Sequence, residues 1–207
     1  MILIDELETG SGLNQIGTLQ RVGDTHWSSH LRSVSSLIKM YSSTCEVLIN
    51  IIEDGSTFVD RGLADAAYVS LISFEFVFIL HVMQKILETT DILCQALQSK
   101  SQDILNAIRL VSSTKALIQN LRNHGWDDLI TNVKSFCAAR NLDVPDMCAR
   151  YVPQRGRPRH HEDGYTVEHH YRIDIFYATI DSQLHELNCR FSEHTMELLT
   201  LSSALDP

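Results

Sequence analysis

Several features that usually announce a function are missing from this sequence. Its five cysteines (Cys45, Cys94, Cys137, Cys148 and Cys189) include no CxxC pair. An odd, dispersed set excludes a disulfide framework and a zinc-ribbon spacing, and reads as ordinary buried thiols in a reducing compartment. No apolar run approaches the roughly 20 residues that a membrane span needs. The longest, Phe74 to Val82, is interrupted by Glu75 and His81. Met1 to Asp5 holds three aliphatic residues and no basic flank, so it does not read as a secretory signal. Basic charge is scarce: 17 Lys and Arg stand against 26 Asp and Glu, a formal net charge of -9. So acidic a chain does not attract phosphate backbones as a whole, and any nucleic-acid contact must come from a local basic patch. Internal repeats, strand hairpins and an HExxH motif are also absent. The expectation is a soluble, intracellular chain with no membrane span, no cofactor and no small-molecule substrate.

What is present is helical periodicity. Hydrophobic residues make up 44% of the chain, enough for a real core. Residues 1–24 lack sustained periodicity and hold Gly10, Gly12, Gly17 and Gly23, so they read as a flexible lead-in. From Ser28, Leu31, Val34, Leu37, Ile38, Tyr41, Cys45, Leu48, Ile49 and Ile52 recur at three- and four-residue spacings, predicting one helix that ends at Asp54-Gly55-Ser56. A short helix over about 60–69 follows, then a long one from Ser73 to Gln98. The first half of that long helix is apolar around most of its girth and should be central to the core. Ser99 or Ser101 caps the next helix, which runs to Asn123, and Gly125 separates it from Trp126–Arg140. Residues 141–166 hold three of the four prolines and low apolarity, which predicts a long basic loop or disordered insert. Helicity returns from Val167 with a stripe of Tyr171, Ile175, Phe176, Ile180, Leu184, Leu187 and Phe191; Ser192 caps a last short helix to about Leu201. The fold class is all-α: an irregular bundle of about six to seven helices. Its organisation is a lead-in (1–24), a helical bundle (25–140), a Pro/Arg-rich loop (141–166) and C-terminal helices packed on the bundle (167–207).

Few residues suggest chemistry. Arg150, Arg155, Arg157 and Arg159, followed by His160 and His161, are the basic cluster of the chain. They could track a phosphate backbone, or form a solvated loop without a specific partner; one aromatic, Tyr151, accompanies them, which is thin for a single-strand stacking platform. His160-His161-Glu162-Asp163 and Glu168-His169-His170 offer metal-ligand types, but adjacent histidines on a helix point roughly 100° apart and chelate poorly. Asp174 and Asp181 lie two helical turns apart, which suggests either an acid–base pair or, as favoured here, a solvated charged face. No cysteine has a histidine placed for nucleophilic catalysis.

Gly23-Asp24-Thr25-His26-Trp27-Ser28-Ser29-His30 resembles the tryptophan block of hAT transposases, usually Thr-Arg-Trp followed by small residues and a helix. Glu6-Leu7-Glu8-Thr9-Gly10, Leu13-Asn14-Gln15-Ile16-Gly17, Val167 to Asp174 and Glu186 to Phe191 likewise resemble the hAT-derived plant proteins known as MYM-type or TTF-type zinc-finger-like. The resemblance covers nearly the whole chain. In that family an RNase H-like core carries two aspartates and a late glutamate that hold divalent metal. A large helical insertion separates the second aspartate from the glutamate, which lies in a Ser-Glu-Arg motif. The resemblance therefore implies that this chain corresponds to the insertion, without the zinc finger, the acidic triad or the dimerisation region. It also implies a nuclear, non-enzymatic protein. The residues agree, because carboxylates here fall on helical faces without the strand framework on which a two-metal site is normally built. By the same resemblance Trp27 would stack on a flipped base near a transposon end; read alone, it anchors the start of a helix against the core. The family's arginine before the tryptophan is His26 here, mostly uncharged at neutral pH, which weakens that contact. The expected partner is DNA, through Trp27 and the four arginines. The alternative is a helical protein-interaction module that binds another chain or itself, suggested by the apolar helices around Phe74–Phe78.

Overall fold

Residues 27–98, 104–152 and 165–203 are described by the structure, a computed structural model. The helices are α1 (Trp27–Lys39), α2 (Tyr41–Asp54), α3 (Phe58–Leu71), α4 (Phe74–Gln98), α5 (Ile104–His124) and α6 (Trp126–Ala138). Then α7 (Val167–His169) runs through a π-helical segment, His170–Tyr177, into α8 (Ala178–Arg190), and α9 (Glu193–Ser203) follows. Among the described residues there is no strand, only one antiparallel bridge between Arg150 and Thr166. The fold is all-α.

The organising element is α4, as its apolar girth predicts. Phe74, Val77, Phe78, Leu80, His81, Val82, Ile86 and Leu93 are all buried, and α1, α5 and α6 pack around it. Phe78 meets Tyr171 at 4.9 Å and Trp126 at 6.0 Å between ring centroids, and Trp126 meets Phe176 at 5.8 Å. Such aromatic pairs add about 0.5–1.5 kcal/mol each beyond their burial. Phe74 and Phe78 thus belong to the core, and Phe76 is half-buried against it. Among them sits His81, whose Nδ1–H donates to the Val77 carbonyl at 2.8 Å; burial pushes its pKa below the ordinary histidine value.

The expected helix from Ser28 to Ile52 is two helices. Met40 leaves the helical region (φ -98°, ψ 16°), and the chain turns there so that Tyr41 enters the core and donates to the Leu71 carbonyl at 2.6 Å. The Ser42-Ser43-Thr44 run after the break has low helix propensity, which eases the interruption. In consequence α1 lies on α4 whereas α2 pairs with α3. The helix α3 starts with Thr57 as N-cap, its hydroxyl accepting from the Asp60 amide at 3.0 Å, and it meets α4 at 70°. Among the described residues no single helix is long and apolar enough to cross a membrane.

Two further expectations change. All five cysteines are free, but only Cys137 is buried; Cys45 and Cys94 are half-buried, and Cys148 and Cys189 are exposed. The loop expected over 141–166 is not loose from its start. Helix α6 closes in a Schellman turn, with Leu142 N–H donating to Cys137 O at 3.0 Å and Asn141 N–H to Ala138 O at 3.3 Å. Asn141 takes the left-handed backbone (φ 54°) that this turn needs, a conformation asparagine tolerates better than most residues. Met147 is buried in the core cluster and anchors the segment.

Candidate nucleic-acid interface

The arginine segment is held at both ends. On the incoming side, Asp146 makes a tight turn: its Oδ1 accepts from the Cys148 amide at 2.9 Å and its carbonyl from the Ala149 amide at 3.1 Å. This turn drops Met147 inward and sends Arg150 and Tyr151 along the returning chain. On the outgoing side, Thr166 caps the next helix, its hydroxyl accepting from the His169 amide at 3.1 Å. Between the two, Tyr151 N–H donates to Tyr165 O at 3.0 Å, Val167 N–H to Ala149 O at 3.0 Å and Glu168 N–H to Met147 O at 3.0 Å. The result is a backbone clasp that ties residues 147–151 to residues 165–168.

Side chains reinforce it. The rings of Tyr151 and His170 stack at 3.9 Å, and Tyr151 meets Tyr165 edge-on at 5.5 Å. Tyr165 packs on His169 at 4.9 Å. Asp174 accepts from the Tyr165 hydroxyl and from His170 Nδ1–H, the latter at 3.2 Å. Burial pushes the His170 pKa below its ordinary value, with Glu75 pulling the other way, so the ring is neutral at pH 7 and donates as a hydrogen-bonding group. Burial also raises the pKa of Tyr171 beneath it to about 12, with Glu75 and Tyr151 adding to the rise.

The π segment makes this arrangement fit. In an α-helix residues five apart point about 140° from each other. The wider i→i+5 ladder brings them onto one face. Tyr171 and Phe176, five apart, are therefore both buried, and Arg172 Nε donates to the Tyr177 hydroxyl at 3.2 Å. The segment also separates Asp174 from Asp181, which a regular α-helix would align. Asp174 faces the clasp, whereas Asp181 reaches α5 and takes Arg122 in a two-point contact of 2.5 and 3.0 Å. Arg122 holds the Asp181 carboxyl below its ordinary pKa. Neither aspartate is simply solvated, and they do not converge.

Of the DNA-contact candidates, Arg150 is exposed on the bridge at the mouth of the clasp. Arg155, Arg157 and Arg159 lie outside the described residues, as do His160, His161, Glu162, Asp163 and His26. Trp27 is the first residue of α1, and its side chain is outside the described part. Glu168, His169 and His170 do not gather: His170 belongs to the Tyr151 stack, His169 lies against Tyr165, and Glu168 reaches Arg172 at 3.6 Å. Among the described residues no three His, Cys, Asp or Glu side chains are grouped to hold a metal ion. Reading the sequence alone missed Tyr165, His170 and Asp174 as a unit. The available signal was a tyrosine on each side of the Pro/Arg-rich stretch, Tyr151 and Tyr165. No family model matches the chain, and no solved structure matches it.

Proposed function

We propose that this chain is a non-catalytic helical piece of an hAT-transposase-derived protein, the insertion region, which contacts DNA through the arginine segment. The observation that carries the DNA contact is the clasp: Arg150 and the sequence Arg155 to Arg159 sit in a stretch whose two ends are tied together and fastened to the core. Tethering the ends lowers the entropy lost when a basic loop settles on a phosphate backbone, relative to a free tail of the same charge. The acidic remainder of the chain confines attraction to this patch and makes it salt-sensitive. The resemblance of the tryptophan block and of Val167 to Asp174 to hAT proteins supports the family part of the reading, and the all-α fold is compatible with an insertion.

The test is a titration of labelled duplex DNA across a salt series. Binding should weaken steeply with salt, and the triple substitution Arg155→Ala, Arg157→Ala, Arg159→Ala should reduce the log–log slope by about 2 to 3 at roughly 0.9 per phosphate contact. An unchanged slope, or no binding at low salt, defeats the proposal. The purified chain should neither nick nor join DNA with Mg²⁺ or Mn²⁺.

A further inference from the structure

The pair α2–α3 carries an apolar surface that the described part of the chain leaves open. Helix α3 buries only Ala64 and Leu71. Its other large apolar side chains point outward: Phe58 is 83% exposed, Val59 and Leu63 66%. A Cβ added at Gly62 would meet nothing within 4 Å. From α2, Val47 and Ile51 continue the exposed apolar surface. Between the two helices runs a groove of about 540 Å³, floored by Leu48, Ala64 and Ala67 and walled by Ile51 and Leu63. Gly55 closes one end, where any Cβ would collide with the Ile51 carbonyl. Ala64 and Ala67, small beside Leu48, Ile51 and Leu63, leave room for an aliphatic side chain to descend between the helices. Leu63 and Ile51 are both exposed and both line this groove, and an open apolar surface of this kind marks an interaction site.

Charge selects the occupant. Residues 41–71 contain Glu46, Glu53, Asp54, Asp60 and Asp65 against Arg61 alone, a formal charge of -4. Asp60 lines the groove itself. A second copy docked face to face would set this charge against its equal, and an anionic bilayer surface would be repelled, since interfacial helices use lysine and arginine on their polar face. The complementary ligand is a helix with an aliphatic stripe and basic flanks. We propose that the α2–α3 face is a docking groove for a basic amphipathic helix of a partner protein. The groove is built from α2, α3 and the turn between them and shares no residue with the arginine segment, so the two proposals are tested by different substitutions and fail independently.

The full chain is titrated by fluorescence anisotropy with a designed helical peptide carrying leucines at i, i+3, i+4 and i+7 and lysines on both flanks. Controls are the same peptide with glutamates for lysines and one of scrambled order. Saturable one-to-one binding is expected, weakened tenfold or more in the glutamate peptide and by Leu63→Asp, the size typical of a lost hot spot. Ile51→Ser serves as a second variant, and both should keep the native circular-dichroism melt because these side chains are exposed. Absence of binding, equal binding of the scrambled peptide, or indifference to both substitutions overturns the proposal. So does a concentration-dependent dimer abolished by Leu63→Asp, which assigns the face to a second copy, or co-flotation with anionic phospholipid vesicles, which assigns it to a membrane.

Discussion

Tyr41 shows how much one side chain decides. Its ring is almost wholly buried against Phe136 at 5.1 Å, and its hydroxyl finds the Leu71 carbonyl near the end of α3. Burial, reinforced by Cys45 and Cys137, pushes its pKa far above the ordinary tyrosine value, so the hydroxyl stays protonated and donates at any physiological pH. Removing that hydroxyl leaves a buried carbonyl without its donor. Tyr41→Phe should therefore cost about 1–3 kcal/mol in urea unfolding, although ring packing is unchanged. A cost near zero would mean that water replaces the bond. Asn141 acts on the same scale: a single left-handed residue ends α6 and turns the chain toward Met147 and the clasp.

At the scale of elements, the π segment is the feature with the most structural consequence. It rotates the second half of the 167–190 rod relative to the first, so that Phe176, and not Ile175, continues the buried line from Tyr171 to Ile180. Truncation reads this phase directly. Phe176→Ala should destabilise by about 3–5 kcal/mol, and Ile175→Ala by about half of that or less, since Ile175 is only half-buried. Reversed costs in denaturant titrations would show that the rod is a regular α-helix in solution. The same rotation sends Asp181 to Arg122, a contact that is exposed and contributes little beyond register.

For the whole molecule, two histidines set an acid limit, His81 buried and His170 half-buried. His81 sits in the α4 core and His170 in the clasp, and burial lowers both pKa values from 6.5. Above pH 6.5 both are neutral whether folded or unfolded, and their contribution to stability is fully present. As the pH falls through 6.5 toward the folded values, the unfolded chain takes up protons that the folded chain refuses, and stability is lost. The melting temperature should drop between pH 7.5 and 5.5, and His81→Gln should flatten part of that slope; a flat wild-type profile refutes the assignment.

Periodicity made most of the fold legible, since every long apolar stripe in the sequence falls on helical chain, although not always on one regular helix. Three things escaped it for separate reasons. The break at Met40 is invisible because the apolar spacing continues through it. The π segment preserves helical composition while changing phase, so Tyr171 and Phe176 look like two faces until the ladder widens. The clasp depends on backbone hydrogen bonds between residues 14 to 21 apart, Tyr151 with Tyr165 through Met147 with Glu168, which carry no compositional mark. The candidate site was accordingly half visible: the arginines stood out, but the tyrosine–histidine–aspartate group that holds their segment did not.

The bridge between Arg150 and Thr166 has an evolutionary corollary. Because the two anchors bond to each other, a longer sequence spliced between them should be tolerated by the helices. Doubling the length of the stretch between them adds only about 0.6 kcal/mol of closure entropy, so it can be rewritten or extended while the helices beneath go on folding as before.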